Sequence, residues 1–328
     1  QHGDVYAAWW VFSHMPHRDV VSWTSMMSSY TRNGNGQESL NLFYLMHYNK
    51  GMKLDKVSHI CALDACANVL ALEDGQVIHA LICESLVLDL GVVLSTALVN
   101  MYGECDQVDD AKYVFSQMST RNIVSWTAML AAFSRNGHGR EALQLFYRMK
   151  ANGIEPNHIT FAFVLDACAC VRSLSEGQDV HGNIVKTGHE KDTAISTSLV
   201  NLYGKCRCMD EARFIFDAME EKSVVSWSNM ITACSQNGFF KEALDIFQRI
   251  KEAGVKPNRI TFICLMDACS NLTSLHDAKA IDMCISECGL GGDVILGNAL
   301  MNMYGKCGSF GDAEKIFCQL SDQNIVSW

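Results

Sequence analysis

The stretch from Ile123 to Asn157, IVSWTAMLAAFSRNGHGREALQLFYRMKANGIEPN, occurs again from Val224 to Asn258 as VVSWSNMITACSQNGFFKEALDIFQRIKEAGVKPN. A third copy, one residue longer, runs from Val20 to Asp55. A chain that repeats at this length must solve one packing problem several times over with the same contacts. The central copy predicts two short amphipathic helices joined by a glycine turn. Ser125 near its start is a candidate helix cap. Asn136-Gly137 closes the first helix, because glycine tolerates the left-handed conformation there. On the second helix Ala142, Leu145, Phe146 and Met149 are spaced i, i+3, i+4, i+7 and make one apolar stripe. Gly153 and Pro156 end it. Burying one large side chain contributes about 1.5–3 kcal/mol. Fixing the backbone opposes folding by about 1–2 kcal/mol per residue. A lone hairpin cannot reach stability on that balance, so the hairpins must stack and share one continuous core.

Trp23, Trp126, Trp227 and Trp328 mark a longer period, with spacings of 103, 101 and 101 residues. Three hairpin types fill each period. The Trp-bearing type covers 20–55, 123–157 and 224–258. A second type covers 56–91, 158–192 and 259–293, marked by LDACA or MDACS. A third, shorter type covers 92–122, 193–223 and 294–324, marked by ALVNMYGEC, SLVNLYGKC or ALMNMYGKC. Residues 1–19 read as the tail of another short unit and 325–328 as the opening of another Trp-bearing one, so both ends look cut. The stripe persists in the short units as Ala111/Val114/Phe115/Met118, Ala212/Ile215/Phe216/Met219 and Ala313/Ile316/Phe317/Leu320, and at the start as Ala8/Val11/Phe12/Met15. In the second type the Phe position holds His79, His181 and Asp282, which we read as hydrogen-bonded packing rather than ligands. The expected fold is an all-α solenoid of stacked antiparallel helix-turn-helix repeats.

Composition narrows the function. Hydrophobic residues make up 49% and charged residues 19%, enough apolar surface for an ordered core. No run of 18 apolar residues exists, which excludes a spanning helix. The formal net charge of −10 argues against non-specific nucleic-acid binding. Most of the 15 cysteines recur with the period, among them Cys66/Cys168/Cys269 and Cys105/Cys206/Cys307. Such positions read as small buried hydrophobes, not as disulfides or metal ligands, and suit a reducing compartment. The spacings Cys168-x-Cys170, Cys206-x-Cys208 and Cys284-x₃-Cys288 lack the partners of a zinc site.

On motifs such as VSWTAMLAAFSRNGHGREALQLF and NALMNMYGKCGSFGDAEKIF, the chain resembles the pentatricopeptide repeat proteins of plant organelles. Within them it is similar to the class that alternates Trp-bearing, variant and short units, the PLS subclass. The resemblance covers nine repeats over 20–324. It implies a right-handed superhelix that binds single-stranded RNA at about one base per repeat, read by two side chains. Carried onto this sequence, the selectors are the fifth and last residues of each unit: Thr24 with Asp55, Thr96 with Asn122, Thr127 with Asn157, Thr197 with Ser223, Ser228 with Asn258, and Asn298 with Asn324. The family's pairs imply guanine for the first and adenine for Thr96/Asn122, Thr127/Asn157 and Ser228/Asn258. They imply a pyrimidine for Asn298/Asn324. Thr197/Ser223 matches the usual pairs poorly and is written as a lower-case a. Ile60, Ala162 and Ile263 stand at the fifth position of the second type and leave those bases open. The implied site is 5′-GnAAnaAnY-3′.

The second residue of each unit resembles the family's base-sandwiching position. It is Val21, Val57, Val93, Val124, Ile159, Ala194, Val225, Ile260 and Ile295, branched aliphatics in all but one unit. Position thirteen holds Arg32, Arg135, Lys205 and Lys306, candidates for phosphate contact, and also Gln236 and Glu104. Glu141, Asp210, Glu211, Glu242 and Asp312 fall early in second helices, where the helix dipole favours acids. They can then face away from a locally basic path.

The resemblance further implies a role in C-to-U editing in a mitochondrion or chloroplast. An editing deaminase needs an HxE and a paired-cysteine zinc site. Neither motif occurs here, so the chain is not expected to be an enzyme and needs no cofactor. A longer protein, or editing-complex proteins in trans, would supply the chemistry. No membrane or small-molecule partner is expected. The alternatives are a protein-binding helical scaffold, and RNA binding for transcript stability or splicing.

Overall fold

The computed structural model describes residues 5–49, 52, 54–85 and 90–320. Among these residues every regular element is helical, and the helices follow one another in hairpins. The chain divides into two compact units, 1–170 and 171–328.

Unit 1 opens with α1 (Val5–His14). Four hairpins follow: α2 (Val20–Arg32) with α3 (Gly36–Tyr44), α4 (Lys56–Val69) with α5 (Leu72–Ser85), α6 (Gly91–Glu104) with α7 (Val108–Gln117), and α8 (Ile123–Arg135) with α9 (Gly139–Ala151). A π-helical turn, Leu45–Asn49, extends α3. Helix α10 (His158–Val171) completes this unit. Unit 2 carries α11 (Leu174–Lys186). Its hairpins are α12 (Thr193–Lys205) with α13 (Met209–Ala218), α14 (Val224–Gln236) with α15 (Phe240–Glu252), α16 (Arg259–Leu272) with α17 (Leu275–Glu287), and α18 (Val294–Lys306) with α19 (Phe310–Gln319).

Each unit is an α-solenoid. The first helices of successive hairpins pack side by side, α2 on α4 on α6 on α8 in one unit and α12 on α14 on α16 on α18 in the other. Second helices back this row, as α3 does against α4 and α15 against α16. In the inner hairpins the predicted stripe faces the seam, with Ala142, Leu145, Phe146 and Met149 all buried, as are Ala111, Val114, Phe115 and Met118; in the set expected at the start, Phe12 is buried but Val11 and Met15 are exposed. The long Trp period has a direct cause. In the three short units whose following Trp is described, the Phe meets that Trp edge-on, with centroids 5.0 Å apart for Phe12/Trp23, 5.2 Å for Phe115/Trp126 and 4.9 Å for Phe216/Trp227. Edge-to-face rings at this separation add to plain area burial.

The glycine in the short-unit mark MYGEC or LYGKC lets first helices touch. A Cβ on Gly103 would lie 2.6 Å from that of Ala132, and one on Gly204 would lie 2.5 Å from that of Ala233. The amides of Asn136 and Asn237 lock the same approaches by donating to the Gly103 and Gly204 carbonyls at 2.8 and 2.9 Å. Gly137, with φ of 77°, makes the left-handed exit of α8 that the sequence predicts.

One local expectation changes. The cap of α8 is Asn122 rather than Ser125. Ser125 lies at the third helical position, where its hydroxyl accepts from the Asn122 backbone N–H and completes a reciprocal capping box. The polar seam positions are packing groups, as expected. His79 and His181 each bond a Tyr hydroxyl of the next first helix at 2.8 Å, Tyr102 and Tyr203. Asp282 accepts from Tyr304 at the same distance. Cys66, Cys168 and Cys269 are buried thiols. Burial pushes Cys66 and Cys269 up to about 12, far from the reactive thiolate.

Candidate nucleic-acid interface

Among the described junctions the last residue of a unit caps the next first helix everywhere except at α6, where Leu90 precedes Gly91, and capping fixes what that residue can offer a ligand. Asn157 accepts from the Thr160 N–H and hydroxyl, both at 2.9 Å, through Oδ1. Asn258 does the same with Thr261, again at 2.9 Å from both atoms. Asn122 accepts from Ser125 N–H at 3.0 Å. A backbone N–H can only donate, so the cap assigns oxygen and nitrogen of each amide without ambiguity. The remaining recognition atom is Nδ2, a donor. Asp55 caps α4 in the same way, taking the Ser58 N–H at 2.8 Å and the Ser58 hydroxyl at 2.6 Å on Oδ1. Its remaining atom is Oδ2, an acceptor. Desolvation pushes the Asp55 carboxyl up, but the two Ser58 bonds outweigh it and hold it below the usual carboxylate range. Ser223 caps α14 through its hydroxyl at 3.2 Å from Ser226 N–H.

The fifth residues lie one helical turn inside. Thr24, Thr96 and Ser228 are buried, while Thr127, Thr197 and Asn298 are half-buried. Their hydroxyl hydrogens are engaged within the protein. Thr24 donates to the Val20 and Val21 carbonyls, Thr96 to Val92 and Thr197 to Thr193. Ser228 bonds the Val224 carbonyl and Thr261 Oγ1, and Thr127 bonds Thr160 Oγ1. Each hydroxyl therefore turns only lone pairs outward. The sequence gives no sign of this restriction.

The second residues are apolar yet exposed at one recurring place, the start of the first helices. Val21, Val57, Val93, Val124, Ile159, Val225, Ile260 and Ile295 are 47–67% exposed. None is helix-start packing. Ala194, the ninth, is exposed as well.

In unit 1 these positions converge. A groove of about 870 Å³ is lined by first helices and their caps, and brings together Arg32, Val124, Thr127, Arg135, Asn157 and Ile159. A second groove of about 660 Å³ joins Val21, Thr24, Arg32 and Val57. Asp55 does not line it. The larger groove is not the basic path expected from position thirteen, because Asp64 and Glu104 share it with Arg32 and Arg135. Arg135 is ion-paired with Glu104 and stacks on the Phe163 ring, 5.4 Å to the centroid. Arg32, Lys205 and Lys306 are exposed. Asn324 lies outside the described residues.

Thr160, Thr261 and Phe163 were not among the residues expected at this surface. The two threonines carried a readable signal, being polar residues three after a cap. Phe163 carried none beyond being one more apolar residue on an apolar helix. Among the described residues no group of three or more His, Cys, Asp or Glu is placed to hold a metal.

Known proteins share this architecture. The family described as "PPR repeat family" matches residues 121–170 and 222–271, and that described as "PPR repeat" matches 21–50, 93–123, 195–224 and 298–325, together more than half of the chain. A chloroplastic pentatricopeptide repeat-containing protein of Arabidopsis thaliana, At4g18520, is 34% identical over 100% of this chain and 53% of its own length. A mitochondrial one from the same plant, At2g03380, is 34% identical over 99% of this chain and 47% of its own. The chain thus spans about half the length of the curated relatives it matches. Among solved structures, the pentatricopeptide repeat protein PPR10 from maize superposes with a TM-score of 0.66 at 20% identity, over 94% of this chain and 50% of that one. PPR10 in complex with an 18-nt PSAJ RNA element gives 0.65 at 19% identity, over 97% and 52%.

Proposed function

Because this chain belongs to the pentatricopeptide repeat family, we propose that it binds single-stranded RNA in a sequence-specific manner, one base per hairpin over nine units from 20 to 324. The observation that carries this is the repeated trio of an exposed branched aliphatic, an acceptor hydroxyl and a capping Asn or Asp. An aliphatic exposed at the start of one first helix after another is unfavourable in water and suits a flat base laid against it. PPR10 in complex with an RNA element has the same fold. The relatives named chloroplastic or mitochondrial favour organellar RNA as the ligand.

Hydrogen-bond polarity then orders the bases. Thr24 and Asp55 offer two acceptors. Guanine is the base whose Watson–Crick edge carries two adjacent donors, N1–H and N2–H. Thr127/Asn157, Ser228/Asn258 and Thr96/Asn122 each offer an acceptor beside a donor. Adenine matches them with N6–H and N1; guanine in the same orientation sets O6 against the acceptor and N1–H against the donor, and does not. Cytosine has the same polarity as adenine, so purine size must separate those two. We propose these four as the G and the three capital A positions of the family-implied site 5′-GnAAnaAnY-3′, whose a and Y rest on the resemblance alone. The place of the chain in an editing factor, with deamination supplied elsewhere, is part of the same proposal.

Filter binding with 5′-GUAAUAAUC-3′ against a scrambled nine-mer tests the reading. Tight binding of the first with weaker binding of the second is expected, and equal binding overturns it. One observation favours a second reading as a protein-binding scaffold: two acids face two arginines in the larger groove, and the chain carries a net −10. Equal, weak binding of both RNAs is what that reading requires.

A further inference from the structure

We propose that Thr160 and Thr261 are positioning residues for base selection, although neither belongs to a selector pair. The inference rests on the RNA reading above. Each is the third residue of its hairpin, and each hydroxyl lies between the two selectors of the preceding one. Thr160 Oγ1 is 2.8 Å from Thr127 Oγ1 and 2.9 Å from Asn157 Oδ1. Thr261 Oγ1 is 2.6 Å from Ser228 Oγ and 2.9 Å from Asn258 Oδ1. The same bridge thus occurs twice, once in each compact unit.

Counting hydrogens shows what the bridge does. An amide oxygen only accepts, so the short contact between Thr160 and Asn157 requires the Thr160 hydrogen. That leaves Thr160 with lone pairs toward Thr127, and the hydrogen between them comes from Thr127. The direction of the chain is therefore fixed: Thr127 to Thr160 to Asn157. Thr127 is held as an acceptor and Asn157 as a donor through Nδ2. Without the bridge, the Thr127 hydroxyl can rotate its hydrogen toward the strand. It would then donate to guanine O6 as readily as it accepts from adenine N6–H.

The second bridge has a reserve the first lacks. Ser228 also lies 2.7 Å from the Val224 carbonyl, which can hold its hydrogen if Thr261 is lost. Thr127 shows no such second bond. Thr24, with its own carbonyl acceptors and no bridge to Ser58, marks the limiting case.

The test uses the whole chain and 5′-GUAAUAAUC-3′ with adenine or guanine at the fourth or seventh base. Thr160→Val should lower the adenine-to-guanine preference at the fourth base by roughly fivefold, the scale of one hydrogen bond, and leave the seventh unchanged. Thr160→Ser should keep the parent ratio. Thr261→Val should lower the preference at the seventh base by less and leave the fourth unchanged. A purely structural role would lower affinity for all four RNAs alike. If the parent prefers adenine at the fourth base and Thr160→Val, folded by circular dichroism, keeps that ratio, the inference is overturned alone. If the parent shows no preference at either base, the RNA reading falls and takes it along. Should Thr160→Val not fold, Thr160→Ala, which also removes the hydroxyl, decides: an unchanged ratio at the fourth base refutes the bridge.

Discussion

At the start of α4, Asp55 caps the helix and Ser58 donates to its carboxylate; at the start of α10, Asn157 occupies the same place and Thr160 donates to its amide oxygen. The two junctions differ in a single outward heavy atom, oxygen in one and nitrogen in the other. Asn, Asp and Ser cap helices about equally well. Exchange among them thus changes stability little while it reverses the polarity offered to a ligand. A position that folding demands be polar, yet leaves chemically open, is well suited to carry recognition. The junctions differ also in their threonines. Thr24 is folded back on its own helix, whereas Thr127 is tied to the following one.

The largest expected effect removes the ground beneath one junction. Phe146 is buried and its ring lies 6.4 Å from that of Phe161, one residue after Thr160. Phe146→Ala should destabilise the chain by about 3–5 kcal/mol in thermal or denaturant unfolding. Hairpins in a solenoid lean chiefly on their neighbours. The loss should therefore blunt selection at the fourth base more than at the first. Equal blunting at both bases would show that the two junctions do not act separately.

Next in size is the interchange of the two chemistries. Asn157→Asp should move the fourth base from adenine toward guanine, a change of about 1–3 kcal/mol in discrimination, read by competition between the two RNAs. Folding should be unaffected because Asp caps as Asn does. Persistent adenine preference would mean that the outward atom of the cap does not face the base.

The solenoid and the buried stripe of the inner hairpins were legible in the sequence because helical periodicity and an internal repeat are the strongest signals a chain carries. The seam bonds of His79, His181 and Asp282 were legible for a related reason, since a polar residue on an apolar stripe needs a partner. Hydrogen direction was not. Whether Thr127 offers a donor or an acceptor depends on Thr160, 33 residues away, and no local pattern encodes that. The pairing of Arg135 with Glu104 was hidden likewise: both were seen at position thirteen, but their closeness follows from the stacking of α6 on α8.

A smaller, pH-dependent effect separates the histidine seams from the aspartate seam. Burial holds His79 and His181 below the ordinary imidazole value. An unfolded chain takes up protons near pH 6.5, while these folded imidazoles take them up only at lower pH. The unfolded state therefore binds more protons in that window, and stability falls as the solution is acidified from about pH 7 to pH 5. Thermal unfolding should show this fall. His79→Phe, which restores the apolar residue of the other hairpin types, should shrink it. An unchanged pH dependence in that variant would place the titration elsewhere.

The smallest expected effect concerns charge in the larger groove. Glu104 and Arg135 are both partly exposed, with side chains 37% and 51% accessible, so their pairing contributes less than about 1 kcal/mol. Glu104→Gln leaves stability nearly unchanged and releases the guanidinium from Glu104, still resting on Phe163. One more cation then becomes available to the phosphate backbone. Each phosphate contact on a single strand steepens the dependence of log affinity on log salt by about 0.7. The variant should show that increment for 5′-GUAAUAAUC-3′ with its base preferences intact, because the acceptor and donor atoms of Thr127 and Asn157 are untouched. A changed base preference with an unchanged salt slope would place Glu104 among the selectors and not beside the backbone.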